Sequence, residues 1–241
     1  MNDQSEPLIT TRSLTRTFAT GQEVTNTLKD ITLTVNQGHL VCISGVSGSG
    51  KTTLFHLLTS LDKPTSGDVW FEDIKVSSLS KHSALQYRKS SIGIIFQDPY
   101  LIPSISVSQN IALPLGLKDI SEKVKADRVS EVLYIVGITD RQSQMKPQDL
   151  SRGQQQKVSI ARAIANDPPL ILADEPTSKL DTTSVKEIMY LLTYLVESKG
   201  KTAIVMTNDD LATRKATVQL HLSAGQLITP TFANTGRSVI R

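Results

Sequence analysis

Cysteine is almost missing from this sequence. One residue, Cys42, is the whole supply in 241 residues. No internal disulfide framework can form, which fits a reducing compartment. Cys42 lies in the apolar run Leu40-Val41-Cys42-Ile43 and reads as a small buried core residue. Long hydrophobic runs are missing too. No window approaches the roughly 20 apolar residues that a membrane-spanning helix requires, so work at a membrane would need another chain to provide the span. Met1 to Glu6 is polar, with no basic start and no apolar stretch, and no signal peptide is expected. Charge of one sign is not in excess. The 26 basic against 23 acidic residues leave a formal net charge of +3, without long basic runs, and no nucleic acid partner is expected. No internal repeat occurs. At 39% hydrophobic and 20% charged, the chain has ordinary globular composition and the length for one large domain.

Strand and helix patterns alternate along the chain. Residues 8–45 read as strands, and Ile31-Thr32-Leu33-Thr34-Val35 alternates apolar and polar as a half-buried strand does. After the Gln37-Gly38 turn signal, Leu40 to Ser44 has the continuous apolar pattern of a strand buried on both faces. A glycine-rich loop follows, and then a helical pattern from Thr53 to Leu58. Further strands are expected at Val69–Phe71, where Trp70 reads as a packing residue, and at Ile92–Phe96, Leu170–Ala173 and Ala203–Met206, the last read as the final core strand. Helical patterns cover about 107–137, with a start signal at Ser121, then 154–166 and 182–199. This order implies an α/β fold with a largely parallel sheet. The segment 229–241 has little periodicity and reads as an irregular C-terminal tail.

Two elements carry chemistry on their own pattern. Gly45-Val46-Ser47-Gly48-Ser49-Gly50-Lys51-Thr52 matches G-x-x-x-x-G-K-[ST] between a buried strand and a helix. Its glycines let successive backbone N–H groups turn toward phosphate oxygens. Lys51 reaches the terminal phosphates, the Thr52 hydroxyl ligates Mg²⁺, and the helix N-terminus favours an anion. Thr53 completes the loop's contact set. The second element is Leu170-Ile171-Leu172-Ala173-Asp174-Glu175, an apolar strand ending in two carboxylates. There Asp174 would hold Mg²⁺ through water, and Glu175 would polarise the attacking water as general base.

A third element selects among phosphate-binding families. Leu150-Ser151-Arg152-Gly153-Gln154-Gln155-Gln156-Lys157 resembles the L-S-G-G-Q signature of ABC ATPases. The stretches Val158-Ser159-Ile160-Ala161-Arg162-Ala163, Asp174-Glu175-Pro176-Thr177 and Ser178-Lys179-Leu180-Asp181 are similar to that family as well. The motifs also stand in the family's order, and the resemblance runs from about residue 8 to 228. Within the class, the chain resembles the lipoprotein-release and macrolide-export type. The supporting runs are Leu61-Asp62-Lys63-Pro64-Thr65-Ser66-Gly67, Phe96-Gln97, Asn110-Ile111-Ala112-Leu113-Pro114-Leu115 and the stretch from Gly153 to Ala163.

The resemblance implies a P-loop NTPase fold over 1–228. Its parts are a mixed, largely parallel core sheet, an N-terminal antiparallel β subdomain and a helical subdomain at about 98–150. It implies ATP and Mg²⁺ as cofactors and a head-to-tail pair, expected to be a homodimer. Each ATP would lie between the P-loop of one copy and Ser151, Arg152, Gly153 and Gln154 of the other. Gln97 matches the Q-loop glutamine that touches the metal and the water, Asp181 the D-loop aspartate that links the two sites, and Phe18 the position of an adenine-stacking ring. Phe18 also reads as simple core packing. An integral-membrane permease is the implied partner, at the cytoplasmic face of the cell membrane. The implied work is ATP-driven export or extraction of a substrate. An ATP-dependent clamp that regulates a membrane protein without transport is the second reading.

Two residues depart from the family pattern. Arg152 stands at a glycine position of the signature, where it either helps hold phosphate or points to solvent. The retained Gly153 is expected to preserve backbone approach to the phosphate. Asn208, in Met206-Thr207-Asn208-Asp209, stands where the family places a histidine. Asparagine can donate a hydrogen bond to phosphate but carries no charge and shuttles no proton. Slow hydrolysis with intact ATP binding is therefore expected.

Overall fold

A computed structural model describes residues 6–20, 23–117 and 120–228. The irregular tail expected at 229–241 lies outside them. In chain order the elements are β1 (Pro7–Thr20), β2 (Glu23–Asn36), β3 (Leu40–Ser44), α1 (Lys51–Leu58), β4 (Ser66–Phe71) and β5 (Ile74–Lys75). Next come α2 (Lys81–Ser90), β6 (Ile92–Ile95), α3 (Val107–Ala112), α4 (Glu122–Val136), α5 (Asp140–Ser143) and α6 (Arg152–Ile164). The last are β7 (Leu170–Asp174), α7 (Thr182–Glu197), β8 (Thr202–Met206), α8 (Asp210–Lys215), β9 (Val218–Ser223) and β10 (Gln226–Ile228).

Two sheets organise the chain. The first is antiparallel with strand order β2-β1-β4-β5, and the second has the order β10-β9-β3-β8-β7-β6. In the second sheet β3 lies between β8 and β9, with Val41 opposite both Ile204 and Val218, and all pairs are parallel except β9 with β10. Central strands are buried on both faces, so their side chains divide by parity. Leu40 and Cys42 of β3 join the helices α3, α4, α6, α7 and α8 on one side. Val41 and Ile43 face α1 and the antiparallel sheet on the other. Fully burying each such aliphatic side chain contributes about 1.5–3 kcal/mol before entropy is counted. Cys42 is buried as expected, and burial pushes its thiol pKa up.

Several expectations shift. The continuous helical pattern over 107–137 is broken into α3 and α4. Pro114 follows α3 and cannot donate to a continuing helix. Helix α6 starts at Arg152 rather than 154, because Ser151 caps it, and α7 ends at Glu197. Ala203–Met206 is not the final strand, since β9 and β10 follow. Trp70 is only half-buried, with the cations of Arg12 and Lys75 5.9 and 5.8 Å from the ring centroid. It lies on β4 between Thr10 and Lys75, on the face of the antiparallel sheet opposite the buried Val69 and Phe71.

Candidate functional site

The parallel strands β3, β7 and β8 end side by side, and the loops leaving them form one cleft of about 920 Å³. Ser47, Gly48, Gly50, Lys51, Thr52 and Thr53 line it from the loop after β3 and the start of α1. Gln97 enters from beyond β6, Glu175 from the end of β7 and Asn208 from the end of β8. These residues come together from four chain segments, while Gly45, Ser49 and Asp174 are not among the lining residues.

Local conformation explains the loop. Gly50 precedes α1 with φ 108°, and no side chain caps the helix. A β-carbon there would lie 2.8 Å from the Thr27 carbonyl, which fixes glycine at this point. The first amides of α1 are therefore open to an anion. Ser49 is buried, and its hydroxyl has no partner among the described residues. Lys51 is buried too. Its ammonium donates to the Gly45 carbonyl and, at 3.4 Å, to that of Val46. It also lies 3.4 Å from Glu175 Oε1.

The acidic pair divides by environment. Asp174 ends β7 inside the protein, where burial pushes its carboxyl pKa up. The Thr52 hydroxyl bonds to it and opposes that shift, and the neighbouring Glu175 adds to it. Asp174 Oδ1 has no hydrogen-bond partner among the described residues. Glu175 takes the left-handed backbone conformation, φ 46°, and its N–H donates to the Met206 carbonyl at 2.7 Å. A non-glycine residue held there is strained, and the bond to β8 keeps it in place.

Asn208 is tied to the phosphate loop. Its Oδ1 accepts from the Gly45 N–H at 3.0 Å. A backbone donor fixes which end of the amide is oxygen, so the NH₂ group is left for other acceptors. Gln97 Nε2 donates to Ser178 Oγ at 3.0 Å, and that hydroxyl donates to the Glu175 carbonyl at 3.2 Å.

The signature residues do not line this cleft. Ser151 caps α6 in a capping box: its Oγ accepts from the Gln154 N–H at 3.3 Å, and Gln154 Oε1 accepts from the Ser151 N–H at 2.9 Å. Arg152 is exposed at the first helical position. Gly153 is buried against α7, and a β-carbon on it would meet Ser184 Oγ at 2.4 Å. Within one chain, then, its small size serves helix packing. Asp181 caps α7, its Oδ1 accepting from the Thr183 and Ser184 N–H groups and its Oδ2 from the Ser184 hydroxyl. Phe18 lies outside the cleft lining, partly exposed, with the Arg16 guanidinium 4.4 Å from the centre of its ring. Sequence reasoning missed Thr27, which lines the cleft from β2, and Ser184. Neither position carries a motif, and both act only through chain segments brought near by folding.

A glycine loop between buried strand and helix, a strand-end acidic pair and a strand-end amide around one cleft define a P-loop nucleotide-binding ATPase. Its particular family is equally clear: residues 28–178 match the ABC transporter family model, and the chain belongs to that family. It is an ABC-type ATPase, the ATP-binding subunit of a transporter. An uncharacterised ABC transporter ATP-binding protein of Methanocaldococcus jannaschii, MJ0796, is 39% identical over 223 residues, which cover 91% of this chain and 95% of that protein. The macrolide export ATP-binding/permease protein MacB of Salmonella typhimurium is 39% identical over 216 residues, 90% of this chain. The chain spans only 33% of that larger relative. Among solved structures, the dimeric post-hydrolysis state of the MJ0796 cassette bound to ADP and Pi superposes with a TM-score of 0.85 at 38% identity. It covers 91% of this chain and 96% of that one.

Proposed function

We propose that this ATPase works as a pair of identical chains on a separate integral-membrane permease, at the cytoplasmic face of the membrane, and that it hydrolyses ATP slowly. The observation that carries the kinetic part is the Asn208–Gly45 bond. With its oxygen committed to the phosphate loop, Asn208 offers the cleft a neutral NH₂ donor. It can hold a phosphate oxygen but supplies neither positive charge nor a transferable proton. Losing such a group costs about 10²-fold or more in rate.

The roles of the other residues follow their positions. Lys51 and the open amides of α1 bind the terminal phosphates. Glu175, aimed by its constrained backbone, orients the water that attacks the terminal phosphorus and takes its proton, and Gln97 stands beside it. The residues present fit Mg²⁺. Thr52 and Asp174 are adjacent hard oxygen donors, and Asp174 Oδ1 is buried without a hydrogen-bond partner among the described residues. When bound, Mg²⁺ neutralises the phosphate oxygens and lowers the cost of the charge developing on them.

Ser151, Arg152, Gly153 and Gln154 lie away from the cleft, so in this reading they serve the nucleotide of the second copy, with Asp181 beside them. Phe18 provides the adenine platform. The helices α3 and α4, which pack against α6, and α5, which packs against α3, support reading 98–150 as the helical subdomain that meets the permease. Among the described residues no helix is long and apolar enough to cross a membrane. The resemblance to export proteins supports outward movement or extraction of substrate. A clamp that gates a membrane protein without transport is the second reading, and Asn208 favours it to the extent that turnover is slow.

The test is ATP turnover of the wild type and of Asn208→His. The histidine is expected to raise kcat by about 10²-fold. A wild type that already turns over fast and gains nothing from histidine overturns the proposal. Co-purification with a membrane subunit, followed by a vectorial transport assay, separates transporter from clamp.

A further inference from the structure

Strands β6 and β7 are parallel neighbours, with Ile95 opposite Ala173, so the loops that leave them run side by side. Those loops are joined by two adjacent rungs. Gln97 bonds Ser178, and next to it Lys179 Nζ contacts both carboxylate oxygens of Asp98 at 2.8 Å. The partners in each rung are 81 residues apart in sequence. The second rung sits at the surface, the Lys179 and Asp98 side chains being 39% and 44% exposed. A single exposed ion pair contributes little to global stability. Its location is what gives it consequence. It closes the outer end of a short relay, Gln97 to Ser178 to the Glu175 carbonyl, whose inner end is the residue that orients water.

We propose that Asp98 and Lys179 are positioning residues. Their ion pair clasps the loop after β6 to the loop after β7 and thereby holds Gln97 and Glu175 in register over the nucleotide. Neither residue lines the cleft. The proposal rests on the roles given above to Gln97 and Glu175. With the clasp cut, the two loops separate at the surface end, and Gln97 is left with one hydroxyl to hold it. Small displacements of this kind cost rate rather than binding, because the phosphates are held by α1 and Lys51.

The experiment uses the purified full chain, measuring ATP turnover, binding of a fluorescent ATP analogue and thermal unfolding. Lys179→Ala is expected to lower kcat about tenfold while KM changes by no more than about twofold. The unfolding midpoint should move by only a degree or two, on the order expected for one surface pair. Asp98→Asn should match it, and the double variant should lose no more than either single one, since all three cut the same link. Lys179→Arg, which restores a two-pronged contact with the carboxylate, should return kcat to near the wild-type value. Wild-type kcat in Lys179→Ala, additive losses in the double variant, or no recovery with arginine overturns the proposal. Glu175→Gln, measured in parallel, should bind nucleotide and fail to turn it over. Normal turnover there instead overturns the assignment of Glu175, a failure distinct from that of the clasp.

Discussion

Helices α1 and α6 both begin at sites proposed above to meet phosphate, yet their first turns are built differently. Helix α1 starts after a left-handed glycine with no side-chain cap, and its first amides are open to an anion. Helix α6 starts with a complete capping box, in which Ser151 and Gln154 satisfy each other. The first is a binding site made ready by the monomer. The second is partly satisfied in the monomer, so on the proposed reading a phosphate from another copy would compete with the Gln154 N–H for the Ser151 hydroxyl. On the proposed reading, nucleotide binding is prepared within one chain, while engagement of Ser151 by a second copy would require its cap bond to rearrange.

Substitutions at each end can break that contrast. The largest effect is expected from Lys51→Ala, which removes the charged donor buried in the loop. Affinity for ATP should fall by about 10²-fold, read by fluorescent nucleotide titration. Unchanged affinity would mean that the cleft is not the nucleotide site. Gly153→Ala should come next. Its β-carbon would lie 2.4 Å from Ser184 Oγ, and the strain should cost about 1–3 kcal/mol. Binding by the monomer should persist while ATP-driven dimerisation, followed by light scattering, is lost. If dimerisation persists, α6 and α7 are not held as closely as the Gly153–Ser184 contact requires. Ser151→Ala sharpens the comparison further. It removes the cap at about 1 kcal/mol, lowering the thermal midpoint by roughly 2–4 °C. The smallest expected change is in Phe18→Ala. Loss of a stacking ring should weaken ATP binding by about 1 kcal/mol, or a few-fold, and no change would leave Phe18 to the Arg16 contact alone.

Much of the fold could be read because buried parallel strands announce themselves as apolar runs. Leu40–Ser44, Leu170–Asp174 and Thr202–Met206 are such strands, and the glycine loop and acidic pair sit directly at the ends of two of them. What stayed hidden had weaker local signals. Helix α2 buries only Ala84 and Tyr87, so its apolar stripe is thin. Strand β9 is only partly buried, with Leu220 and Leu222 as its buried positions, and the three-residue antiparallel β10 ends the sheet at an edge. Side-chain partnerships across the chain had no local signal at all. Gly153 against Ser184, Asn208 with Gly45, and Lys179 with Asp98 join residues that only the tertiary fold brings together. The sequence marked Gly153 for its approach to phosphate, while the fold gives it a second duty inside the chain.

Helix α6 is also fastened along its length to the segment that follows β6. Gln156 donates to the Phe96 carbonyl, and the two ends of the Arg162 guanidinium donate to the carbonyls of Pro99 and Tyr100. Those anchor points are six residues apart, about 9 Å along the axis, which is enough to fix direction as well as position. A stiff rod held at two points cannot slide or tilt alone. A displacement of residues 96–100 would therefore bear on α6 itself, whose other end is capped by Ser151.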